Sequence, residues 1–143
     1  MFAPTKEEVR QFFCDTWRKA HANEILTPLE AIARDWLLQH PEYENDFANP
    51  EASNTEYPIE QGQSNPFLHL SMHLSVSEQC SIDQPRGIRQ AVELLTARRD
   101  SLHTAHHETM YALGQMIWES QRSGRPPDGH AYIDAVQRRA TRD

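Results

Sequence analysis

Five of the chain's eight histidines have a spacing that could do chemistry. His69 and His73 lie four residues apart in the apolar run NPFLHLSMHLSV, and His103 and His107 repeat that spacing further on. Residues at i and i+4 of an α-helix stand on one face, about 6 Å apart along the axis, so each pair can aim two imidazoles at one ion. His40 continues the apolar stripe of an earlier helical pattern. Five inward imidazoles are of little use to an apolar core, because an unpaired ring nitrogen costs roughly 1–3 kcal/mol. A metal ion that takes one nitrogen from each ring removes that cost. We therefore expect an internal metal site, zinc or iron, with His40, His69, His73, His103 and His107 as ligands. If it is catalytic, an open coordination position would activate water or bind dioxygen or a peroxide.

The elements that must position these rings read as helices throughout, and no alternating strand pattern is present. Thr5 with Glu8, and Thr27 with Glu30, are capping boxes that start the first two helices. Val9, Phe12, Phe13, Thr16, Trp17 and Ala20 form the first apolar stripe. Leu29, Ile32, Ala33, Trp36, Leu37 and His40 form the second, which Pro41 ends or kinks. From Glu42 to Ser64 the chain is a long polar loop with one short helical turn around 42–47. Asn65-Pro66 starts a third helix that runs to about Cys80. The segment SIDQPRGI is a turn, and a fourth helix spans roughly 85–99. Asp100 or Ser101 caps a fifth helix, which ends near Arg122 with Gly124 behind it. A last helix follows Pro126-Pro127-Asp128, with Tyr132, Ala135 and Val136 on its apolar side. The expected fold class is all-α: a single small helical bundle over residues 1–143, with four core helices and short end helices.

On a helical wheel His69 and His73 fall at the centre of an apolar face, with Ser71, Ser75 and Glu78 opposite. His103 and His107 likewise lead a stripe through Met110, Gly114, Ile117 and Trp118, with His106 at its edge. Cys80 lies on the His69–His73 stripe, but at about 10 Å past His73 along the axis it is too far to share an ion. Glu44 follows His40 by four residues and could reach the site. Asp83 and Asp100 read as helix caps, and Glu108 as part of a solvated face.

With 143 residues, 38% hydrophobic, 24% charged and a formal charge of −7, the composition is that of a globular domain. The acidic balance argues against nucleic-acid and anionic-membrane partners. Between Pro41 and Asn65 there are six acids and no Lys or Arg, while Arg122, Arg125, Arg138, Arg139 and Arg142 make the far end basic. Cys14 and Cys80 have no paired-motif spacing, and MFAPTKEEV has no apolar signal core, so a cytoplasmic protein with reduced thiols is expected. No nucleophile motif, phosphate loop or nucleotide fingerprint is present. The rival expectation is a non-enzymatic interaction protein, forming a homodimer or docking a protein partner, in which the histidines are a buried hydrogen-bonded layer. A third is a pH-responsive switch.

The segments HPEYE, NPFLHLSMHLSVSEQCSIDQPRGI and QRSGRPPDGHAY, with the His103-x3-His107 helix, resemble an uncharacterised bacterial family known as a domain of unknown function. The resemblance covers nearly the whole chain. It implies a small cytoplasmic protein and no particular reaction, and its pattern tends to carry an acid where this chain has His106. The chain is also similar, more weakly, to hemerythrin-like bundles, which hold two irons with His, His-x3-Glu, His-x3-His and His-x4-Asp on successive helices. His40-x3-Glu44 and His69-x3-His73 match that order. No Asp lies five residues after His103 or His107, and Pro41 interrupts the His40–Glu44 element, so a mononuclear or differently bridged site fits this chain better.

Overall fold

Two threonines set the start of the chain's first two helices. Thr5 accepts a hydrogen bond from the Glu8 amide while Glu8 Oε1 accepts from the Thr5 amide, and Thr27 and Glu30 repeat the exchange. The computed structural model describes residues 5–49 and 65–141. Every regular element among them is helical: α1 (Lys6–His21), α2 (Pro28–Leu38), a short 3₁₀ turn (Pro41–Tyr43), α3 (Glu44–Ala48), α4 (Pro66–Ile82), α5 (Ile88–Arg99), α6 (Leu102–Ser123) and α7 (Gly129–Ala140). The all-α expectation holds. The acids Glu51, Glu56 and Glu60 of the polar loop, and Arg142 of the basic tail, lie outside the described residues.

The chain divides into two compact units, Met1–Leu74 and Ser75–Asp143. In the first, α1 packs on α2 and α3. Its core is Phe13, Ala33, Trp36, Leu37, Phe47, Phe67 and Leu70, flanked by the partly buried Val9, Phe12, Trp17, Ile32 and Leu74. The expected stripes of α1 and α2 are therefore present, except that Leu29 is exposed. It shares the face of Ala33 and Trp36 but stands in the first turn, at the open end of α2. Arg10 is buried with its guanidinium over the Phe67 ring, an arrangement in which the cation meets the negative face of the ring.

In the second unit α5, α6 and α7 pack mutually. Its core is Ile88, Ala91, Val92, Leu95, Ala105, Met110, Ala112, Leu113, Tyr132, Ile133 and Val136. Helix α5 begins at Ile88, three residues later than the sequence pattern suggests. Gly87 precedes it with φ +104°, a conformation that no side chain adopts comfortably, and Asp83 Oδ1 accepts hydrogen bonds from the Gly87 and Arg89 amides. Asp100 ends α5 in the left-handed region, and Ser101 caps α6 by accepting from the Thr104 amide. Gly124 closes α6 at φ +73°, and Asp128 caps α7.

Neighbouring leucines on α5 separate core from surface. Leu95 is fully buried and Leu94 is 52% exposed. Leu95→Ala is expected to lower unfolding free energy by about 2–5 kcal/mol, because the cavity it leaves adds to the lost transfer energy. Leu94→Ala should stay within about 0.5 kcal/mol of the parent. Urea titrations of the two variants compare them directly.

Candidate metal centre

One helix, α4, and the residue that leads into the turn between α2 and α3 bring three of the five histidines together in the first unit. His69 and His73 come from α4, whose start is set by Asn65 Oδ1 accepting from the Phe67 and Leu68 amides. The expectation that His40 sits in the last turn of α2 is corrected: the helix ends at Leu38, and His40 is the residue before the Pro41–Tyr43 turn. Pro41 disfavours helical dihedrals at the residue before it, and His40 accordingly has φ −128° and ψ 61°. That bend swings its ring toward α4.

The three rings meet through the same atom. His69 Nε2 lies 3.1 Å from His40 Nε2 and 3.1 Å from His73 Nε2. His40 and His73 are buried, and His69 is half-buried. The outer nitrogen of His40 is fixed, since its Nδ1 lies 2.9 Å from the Trp36 carbonyl oxygen. Only a protonated nitrogen can donate to a carbonyl, so neutral His40 presents the lone pair of Nε2 to His69. Trp36 stacks on His73 at 4.1 Å, and Tyr43 lies parallel to His40 at 5.4 Å.

An imidazole nitrogen carries either one proton or one in-plane lone pair. A single proton on His69 Nε2 would have to serve two acceptors at once. A cation among the three nitrogens takes a lone pair from each. For metal–nitrogen bonds of about 2.0–2.1 Å, neighbouring ligand nitrogens stand about 2.9–3.4 Å apart, from octahedral to tetrahedral angles. The observed 3.1 Å separations fall in that interval. Charge acts in the same direction: residues 1–74 hold twelve acids against five Lys and Arg, whereas residues 75–143 hold nine of each. A net negative field raises the local concentration of cations.

The second unit holds the other pair. His103 and His107 have ring centroids 4.5 Å apart, and each offers a ring nitrogen within 4.8 Å of the other's. They do not lie at the centre of a buried face, however. His103 is half-buried and His107 exposed, Ile117 and Trp118 are exposed, and the histidine buried in α6 is His106. The reason is the packing of α6 on α5 and α7 through Ala105, Thr109, Ala112 and Leu113. Small residues let helices approach closely, and a hydrophobicity wheel gives them little weight. The buried arc is therefore rotated past His106, about a third of a turn from the His103–His107 stripe. Burial pushes the His106 pKa down to about 4, helped by the neighbouring His103 and His107.

The carboxylates resolve into structural roles. Glu44 is exposed at the start of α3. Asp83 caps the start of α5 as expected, whereas Asp100 ends α5 and leaves the cap of α6 to Ser101. Glu108 is not part of a solvated face: Arg99 donates to it from Nε at 2.6 Å and from Nη2 at 3.1 Å, with Arg139 at 3.5 Å. The Arg99 guanidinium holds its carboxyl below the usual range. Cys14 and Cys80 are half-buried free thiols, and burial pushes the Cys80 thiol up to about 11.

A groove of ≈ 880 Å³ between α6 and α7 has none of the five histidines on its wall. A cavity of ≈ 120 Å³ in the first unit touches His40, Trp17 and Phe47 but neither His69 nor His73. No described helix is long and apolar enough to cross a membrane. A family model described as a domain of unknown function (DUF1841) matches residues 5–138, and the chain belongs to that family. No curated protein and no solved structure matches the chain.

Proposed function

We propose that this member of the DUF1841 family binds a transition-metal ion, zinc or iron, with His40, His69 and His73 as ligands through Nε2. The observation that carries the reading is the meeting of three imidazole nitrogens at ligand-to-ligand distance around His69. All-imidazole donors suit borderline metals and exclude a calcium or magnesium site, which would need oxygen. We further propose His103 and His107 as metal ligands, on their i,i+4 spacing and paired rings. No reaction is assigned, since neither cavity nor nucleophile supplies one. The rival reading, a hydrogen-bonded histidine layer in an interaction protein, accounts for the His69–His40 contact, with His69 Nε2–H donating to His40 Nε2.

Elemental analysis of the purified chain separates the two. The metal reading expects about one equivalent of zinc or iron after reconstitution, because structural sites of this donor type bind tightly near neutral pH. Less than about a tenth of an equivalent would leave the hydrogen-bonded layer in place of the metal site. The stoichiometry also reports on the second pair: a second ion per chain that His107→Ala loses and His73→Ala keeps means that the pair holds an ion of its own.

A further inference from the structure

We infer that Trp36 is the positioning residue of the histidine trio, holding His40 through its main chain and His73 through its ring. The inference rests on the metal reading above and deepens it.

Trp36 lies in the last turn of α2, where carbonyls lack an intrahelical partner and carry the negative end of the helix dipole. Its carbonyl oxygen accepts from the Gln39 amide at 3.2 Å and from His40 Nδ1–H at 2.9 Å. The first bond ends the helix, and the second sets the tautomer of His40 and orients its ring. A ligand histidine whose other nitrogen donates to a carbonyl is a more basic and better aimed ligand. The indole meanwhile lies on the His73 imidazole, 4.1 Å between centroids and 21° between planes. An offset stack of this kind resists rotation of the imidazole about its χ2 axis. The 3.1 Å approach of His73 Nε2 to His69 depends on that rotation. One residue thus governs two ligands by two separate parts. Trp36 is itself held, 5% exposed, by the core of the first unit.

The test uses the whole chain, the variants Trp36→Phe and Trp36→Leu, and zinc as the probe. Phenylalanine keeps an aromatic face for His73 and should hold zinc within about threefold of the parent. Leucine removes the stack and should weaken zinc binding by about 10–100-fold, the usual effect of losing a residue that supports a ligand. A folded leucine variant with parental affinity overturns the inference. A spectroscopic signature accompanies this: zinc should change tryptophan emission in the parent, and the change should largely vanish in Trp36→Phe although zinc still binds. An undiminished change in Trp36→Phe also counts against it. Long-range proton–nitrogen spectra of the metal-free parent should show His40 protonated at Nδ1, and an Nε2–H tautomer would overturn the main-chain half. Should the leucine variant not fold, the phenylalanine variant and the tautomer still decide. Should the parent bind neither zinc nor ferrous iron, the metal reading fails by itself, while the tautomer and the ring-current shift of His73 under Trp36 continue to test the positioning.

Discussion

Zinc or ferrous iron added to chelator-treated protein is expected to raise its melting temperature by about 10 °C, and His73→Ala to abolish the rise. An ion that binds only the folded chain, at 100 to 1,000 times its Kd, stabilises it by about 2.7–4.1 kcal/mol. For a chain of this size each kcal/mol moves Tm by about 3 °C. His40→Ala and His69→Ala should also lose the rise, since each removes one of three converging nitrogens. His130→Ala is the control, because His130 is exposed on α7. His103→Ala and His107→Ala test the second pair: an undiminished rise in both would remove them from the ligand set. Thermal scans with and without chelator make the measurement, and a parent protein indifferent to every ion would remove the metal site altogether.

In metal-free protein, stability is expected to fall by up to about 3 kcal/mol as pH drops from 6.5 to 4, with His106 as the cause. The folded chain keeps this ring neutral down to about pH 4, because its burial, with His103 and His107 nearby, penalises the charged form. The unfolded chain protonates it near the ordinary value of about 6.5. Between those values the unfolded state binds the extra proton, so stability is complete above the upper one and drains away toward the lower. A difference of about 2.5 units corresponds to about 3 kcal/mol. Chemical denaturation at a series of pH values, for the parent and for His106→Leu, checks this. The variant should lose most of the slope in that window. Equal slopes would show that the ring titrates normally, and hence that α6 opens around it.

Much of the architecture was legible because it is written locally. A capping box needs only Thr and Glu three residues apart, and both were where the spacing places them. Asn65, Ser101, Gly124 and Asp128 act at helix ends for equally local reasons. The convergence of His69 and His73 on one face of α4 follows from helical geometry alone. The inward aim of His40 was legible too, though its cause was not: the ring reaches α4 through the bend that Pro41 imposes after the helix has ended.

The face of α6 was misread for a physical reason. Ala105, Thr109 and Ala112 are poor hydrophobes but good close-packing surfaces, so the buried side of that helix was set by how near α5 and α7 could approach. Glu108 was misread likewise, since its partners Arg99 and Arg139 come from two other helices.

By itself, then, the amino-acid sequence determined the helical class, most of the helix ends and the pairs of imidazoles that share a face, all consequences of contacts within four residues. Only the tertiary structure decided which face of α6 is buried, that the His40 ring meets His69 and that Trp36 lies on His73. Those depend on groups far apart in the chain, whose approach is governed by packing volume and by hydrogen-bond partners that no local spacing encodes.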